Sequence, residues 1–203
     1  SSFDEFKGKL KKLGYGFFTN ADPNNGDSKT GSGYAIFSAY PIVRHRVADA
    51  DSLNVNGVWA DVKIGRDTVR VFNLHLQSTG VTSEEQTATL SHRIVEDSLG
   101  RTKLSNVVTK VVDNYRARAT EARNVASLVE SSPHPVVVCG DFNDSPISYT
   151  HKLFTQELAD AYVRSGNGPG FSYNRNKILY RIDHILYSPA FEAYDCVVDH
   201  SVK

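Results

Sequence analysis

Hydrophobic and polar residues repeat along this chain with two different periods, and the segments with period two carry its candidate chemistry. Val69-Arg70-Val71-Phe72-Asn73-Leu74-His75-Leu76-Gln77 sets Phe72, Leu74 and Leu76 on one face and Val71, Asn73 and His75 on the other, the pattern of a strand. Together, Val58–Gly65 and Asp67–Gln77 predict an antiparallel hairpin that turns at Gly65-Arg66-Asp67. Pro135-Val136-Val137-Val138-Cys139 is an unbroken apolar run and predicts a strand buried on both faces. Tyr180 to Ser188 is a strand rich in Ile, Leu and Tyr that Asp183 interrupts, and Tyr194 to Val202 reads as one continuous strand.

Helical spacing takes over between these segments. Phe3 to Leu13 predicts a charged amphipathic helix, and its Lys7, Lys9, Lys11 and Lys12 read as a solvated face. Thr82 to Glu130 predicts two helices broken near Gly100, with the spacing of a cover for a sheet. Pro146 to Leu158 reads as loop and short helix. Asn20–Gly33 and Ser165–Asn176 read as Gly/Asn-rich loops, the second offering Phe171 and Tyr173 either to a substrate or to packing beneath the loop. Strands mixed with covering helices predict two stacked sheets flanked by helices.

Composition narrows the function class. The 203 residues, 40% hydrophobic, suffice for one sizeable core and predict one domain over 1–203. Charges balance at 23 and 23, so no global basic field advertises nucleic acid. Cys139 and Cys196 both lie in apolar strand contexts and read as buried small hydrophobes, not as a disulfide framework or zinc site.

Three positions stand out against these patterns. Gly140-Asp141-Phe142-Asn143 follows the apolar run directly. If the chain stays extended past the glycine, Asp141 and Asn143 project together at the mouth of the sheet, a proton acceptor beside a neutral donor. The competing reading is an Asx turn that satisfies loop backbone. Asn73 and His75 at the carboxyl end of an apolar face need hydrogen bonds or a wet cleft. Asp183, followed by His184, needs a cationic or donor partner if buried, and orienting a histidine ring is a common functional use of such a carboxylate.

In chain order, N-L-H-L, G-D-F-N and R-I-D-H-I-L resemble the endonuclease/exonuclease/phosphatase superfamily, which includes deoxyribonuclease I, exonuclease III-type repair nucleases, neutral sphingomyelinases, inositol polyphosphate 5-phosphatases and poly(A) deadenylases. Gly33 to Ile42 resembles the family's G-x-A-I-x-S-x-Y-P-I strand, and the likeness runs from Tyr34 to Tyr187 at least, looking closest to bacterial members of unassigned substrate. The resemblance implies a deoxyribonuclease I-like four-layer αββα sandwich of two mixed sheets flanked by helices. It implies a phosphoesterase that hydrolyses a phosphodiester or phosphomonoester by in-line water attack, the alternatives being a nuclease acting on DNA or RNA, or an inactive binding module. By position, Asp141 matches the residue that orients or deprotonates water, and Asn143 the amide that holds the phosphate. His75 matches a histidine on the scissile phosphate and argues against an abasic-site nuclease. Asp183 matches an acid paired with a C-terminal histidine. Asn73 and His184 are candidate substrate-side neighbours. The implied cofactor is Mg²⁺, or Mn²⁺ in its place, with Asp141 and Asn143 as ligands. The implied partner is a phosphate ester, whether nucleic acid, lipid head group or small metabolite, with no obligate protein partner.

Two family elements have no match. The family's Q-E strand, whose glutamate is its main metal ligand, is not found, and Asp4 and Glu5 fall on a solvated helix face instead. The closing S-D-H is not matched either, since Asp199-His200 falls inside the predicted last strand. With no methionine anywhere, the chain reads as an internal piece of a longer protein, lacking the first strands and the last strand, and is expected to show little metal-dependent activity alone. Localisation is left undetermined by this segment.

Overall fold

The computed structural model describes residues 3–21, 33–47, 55–82, 85, 98–175, 178–199 and 201. Residues 22–32 of the Asn20–Gly33 loop, most of the stretch between Ser83 and Asp97, and His200 lie outside the described residues.

The chain runs α1 (Phe3–Lys12), β1 (Phe17–Ala21), β2 (Tyr34–Ser38), β3 (Ile42–Val47), β4 (Gly57–Ile64), β5 (Asp67–His75), α2 (Ser98–Glu130), β6 (Val136–Asp141), α3 (Tyr149–Phe154), β7 (Ala159–Asp160), α4 (Ala161–Ser165), β8 (Tyr173–Arg175), β9 (Ile178–Tyr180) and β10 (Asp183–Tyr187). Six strands form a mixed central sheet in the order β3-β4-β5-β6-β10-β7. Within it β5 and β6 are parallel, while β4–β5 and β6–β10 are antiparallel. The α2 crossover between β5 and β6 supplies the long connection a parallel pair requires.

The period-two pattern of β5 explains the layering. Phe72 and Leu74 face one side and join Val136, Val138, Ala122, Val125 and Leu186 in the larger core, under α2. Val71 faces the other side, where Val58, Ala60, Val62 and Ile36 form a second core beneath the β1–β2 ribbon. Outside that ribbon, Phe6 of α1 meets Phe37 edge-on at 5.7 Å. The ribbon and α2 thus lie on opposite faces of the central sheet.

Helix α2 starts at Ser98, with Gly100 in its first turn, and the stretch just before it lies outside the described residues. Three local readings differ from expectation. The described part of the expected Tyr194–Val202 strand is not a strand: residues 191–199 are irregular, Asp195 adopts φ 50°, and the slot beside β10 is taken by β7. Tyr173 leaves the predicted loop to pair with Tyr180 across the β8–β9 hairpin. Cys139 and Cys196 are both only partly buried free thiols. The Cys139 thiol donates to the Phe72 carbonyl, and burial pushes its pKa up to about 11.

Candidate active site

Strand register brings the candidate residues together. In the parallel β5–β6 ladder His75 lies opposite Asp141, and in the antiparallel β6–β10 ladder Asp183 lies opposite Asp141. Paired residues share a face, so His75, Asp141 and Asp183 form a row across three adjacent strands at one end of the sheet. Strand spacing of roughly 5 Å places the outer two about 10 Å apart. His75 Nε2 stands 3.9 Å from Asp141 Oδ2, with His75 half exposed and Asp141 more sheltered. Tyr34 of β2 meets the His75 ring edge-on at 6.3 Å.

Asn143 reaches the same place by a route other than an extended chain. It adopts φ 49°, and its backbone N–H donates to Asp141 Oδ1 at 2.7 Å, forming the Asx turn that the sequence offered as the competing reading. Its side-chain Nδ2 then donates to the Leu76 carbonyl at 2.9 Å, next to His75. The turn and the convergence are one structure: it is the turn that gathers Asp141 and Asn143. Gly140 makes this possible. It adopts φ 137°, and a Cβ there would lie 1.9 Å from the Leu74 carbonyl oxygen.

Electrostatics single out Asp141. Its carboxyl pKa is raised above the ordinary value, mainly by burial and further by the charge of Asp183, against the pull of the Asn143 N–H, His75 and His184. Two carboxylates side by side with an amide make a set of hard oxygen donors and repel one another, the environment that a divalent cation relieves. Asp183 itself is exposed, and its backbone N–H donates to Ser172 Oγ at 3.0 Å.

The other two candidates sit elsewhere. Asn73 lies one pleat deeper than His75, and its amide donates to the Ala35 carbonyl at 3.0 Å, tying the ribbon to the central sheet. His184 points to the opposite face from Asp183. It is buried beside Phe142, with Nε2 2.9 Å from the Asp144 carbonyl.

Behind the row runs a buried ionic network that the sequence reading missed. Arg118 of α2 is fully buried, donates through Nη1 to the Gln77 carbonyl at 2.7 Å, and places Nε 3.2 Å from Asp144 Oδ2. Glu121 accepts from the Gln77 N–H at 2.6 Å, and Asn114 donates to the Thr79 carbonyl. The strand exit after His75 and the turn holding Asn143 are therefore fastened to one helix face. Burial raises the Glu121 pKa, opposed by the Gln77 N–H, Arg118 and His75. A legible signal existed: Arg118 and Glu121 occupy the helical stripe that continues as Ala122 and Val125, where a purely covering helix would be apolar.

A further cluster joins His151, Asp160 and His184, whose ligand-type atoms lie within 4.8 Å of one another. Arg181 grips Asp160 with two hydrogen bonds, 3.1 Å to Oδ1 and 2.9 Å to Oδ2, and His151 Nε2 lies 2.7 Å from Oδ2. Burial opposes ionisation of Asp160, yet His151, His184 and Arg181 outweigh it and hold the carboxyl well below the usual range. A guanidinium already neutralises this carboxylate, so the cluster fits an ionic hub better than a cation site.

Comparison with known proteins bears on the family and the fold. The profile of the Endonuclease/Exonuclease/phosphatase family matches residues 2–202, and the chain belongs to that family. Human nocturnin's catalytic domain, solved with a bound sulfate anion, superposes with TM-score 0.54 at 18% identity, over 92% of this chain and 65% of that one. A beta-hairpin deletion mutant of Staphylococcus aureus beta toxin gives TM-score 0.56 at 18% identity, over 98% and 74%. The mannosyl-6-phosphatase of Bacteroides thetaiotaomicron gives 0.55 at 18%, over 94% and 69%. These likenesses show the fold, of which the chain spans about two thirds of the nocturnin domain's length. No curated protein matches the chain by sequence.

Proposed function

We propose that this family member hydrolyses a phosphate ester by in-line attack of water, with His75, Asp141, Asn143 and Asp183 as its working residues. The observation that carries the reading is the row His75–Asp141–Asp183 across three hydrogen-bonded strands, with Asn143 folded back onto it. Asp141 orients the attacking water and accepts its proton as the new P–O bond forms. The ester P–O bond opposite breaks, and the departing oxygen takes a proton from solvent to become the product alcohol. His75 is half exposed beside Asp141, which suits it to contact a phosphoryl oxygen, and Asn143 holds a second one. Asp183 adds a second carboxylate to the row, and its charge keeps Asp141 basic.

Asp141 and Asn143 are the residues that would hold Mg²⁺ or Mn²⁺, which when bound neutralises charge on the phosphoryl oxygens. The test is hydrolysis of bis-p-nitrophenyl phosphate by the whole protein with Mg²⁺, with and without EDTA. Absence of turnover for it and for a panel of phosphomonoesters would leave a binding module as the better reading.

A further inference from the structure

A cavity of about 600 Å³ opens beside Asn143, within the size range of small-molecule sites. Its walls include Tyr115 of α2, Tyr173 and Tyr180 of the β8–β9 hairpin, and the aliphatic side chains of Val81, Val111 and Ile182. Tyr115 and Tyr180 remain 47% and 52% exposed, so large ring faces are left to a concave space and not packed into a core. We infer that this cleft binds a neutral aromatic ring carried on the alcohol side of the phosphate ester, a substrate class that rests on the proposed hydrolytic reading.

Three features support that assignment. The first is continuity: Asn143 belongs both to the cavity wall and to the catalytic row, so a phosphate held there directs its alcohol into the cleft. The second is rigidity. The Arg118 guanidinium lies 4.4 Å from the Tyr115 ring centre and backs it as a fixed platform. Tyr173 and Tyr180 are cross-strand partners, and Ser172 Oγ accepts from the N–H groups of Ile182 and Asp183, which ties the hairpin to the row. Placed ring faces of this kind stack flat rings at little conformational cost. The third is charge. The carboxylate in the wall, Asp144, faces the buried Arg118, so among the described residues the lining suits a neutral group better than a second phosphate.

The test compares matched ester pairs under Mg²⁺: adenosine 5′-monophosphate against ribose 5-phosphate, and 2-phenylethyl phosphate against ethyl phosphate. Each pair leaves as a primary alcohol, so the ring is the main difference. The expected result is a gain in kcat/KM of about 10-fold or more for the ringed member of at least one pair, the scale of one stacked base. The responding pair distinguishes a nucleobase from a simple aryl group. Tyr180→Ala should abolish the gain, read as the ratio of ringed to ringless rates within that variant; Tyr115→Leu, which keeps bulk and removes the ring, repeats the test in a second background. Equal rates within both pairs, or a gain that survives both substitutions, would overturn the inference. Calorimetric binding of the same four compounds reads the ring preference without turnover. If none of the four, nor bis-p-nitrophenyl phosphate, is cleaved but ringed compounds bind at least about 10-fold tighter, the cleft stands and the hydrolytic reading falls; equal affinities overturn the cleft.

Discussion

His75 and Asp141 end neighbouring parallel strands in exact register, with Nε2 and Oδ2 3.9 Å apart. That distance is longer than a hydrogen bond, and it lets both groups face a common guest without sealing against each other. Asp141→Asn keeps the shape and removes the charge. Turnover should fall by roughly 10²–10⁴, the range for losing a general base, while the circular dichroism spectrum stays unchanged. His75→Ala should act in the same direction through lost stabilisation of phosphoryl charge. A wild-type rate from Asp141→Asn would remove Asp141 as the base.

Charge within the row makes a separate prediction that needs no turnover. In metal-free protein the Asp141 carboxyl should titrate above the ordinary aspartate value, since burial and then Asp183 raise it. Removing the Asp183 charge with Asp183→Asn should lower that pKa, and His75→Ala should raise it, because His75 favours the ionised form. Carboxyl-carbon NMR titration in the presence of EDTA reads both. An Asp141 pKa that ignores both substitutions would mean the three side chains are not neighbours.

Much of this row was legible because strands reveal their ends in sequence. The alternation through Val69–Gln77 and the apolar run through Cys139 set which side chains share a face, and the structure keeps both segments as neighbouring strands. What the sequence could not show is the turn. Asn143 meets Asp141 through left-handed backbone and a hydrogen bond, not through continued extension, and no periodicity encodes that. Long-range ion pairing was equally hidden. His151, Asp160, Arg181 and His184 come from three segments that only the closed sheet brings together, and the helix stripe carrying Arg118 reads as mere cover until its partner Asp144 is seen.

The Asp160 hub predicts a pH dependence of stability. Its native carboxyl lies well below the usual range, whereas in the unfolded chain it titrates near 4. Its stabilisation is therefore fully present above about pH 4 and is lost progressively as pH falls below that. Asp160→Asn should lower stability at pH 7 by about 3–5 kcal/mol, the cost of stranding a buried partner. The gap from wild type should narrow toward pH 3 in denaturant melts. EDTA should shift the melting temperature at pH 7 equally in wild type and in Asp160→Asn; a larger drop on chelation in the wild type would mean that the two histidines and Asp160 hold a metal after all.

The glycine ahead of Asp141 carries a prediction about the whole row. Gly140 sits at φ 137°, a region L side chains rarely adopt, and an added Cβ would fall 1.9 Å from backbone of the neighbouring strand. Gly140→Ala should cost about 1–3 kcal/mol from backbone strain alone, with the steric clash in addition. Relief requires β6 to move away from β5, which would widen the His75–Asp141 pairing that follows directly. Activity should therefore fall by more than the loss of folded protein explains. The control is Gly65→Ala in the β4–β5 turn, where φ is 61° but nothing lies within 4 Å of the new Cβ. It should show the strain cost without the loss of activity per folded molecule. Equal specific activities for the two variants, each corrected for its folded fraction, would mean that the close approach of β5 and β6 does not set the spacing of the row.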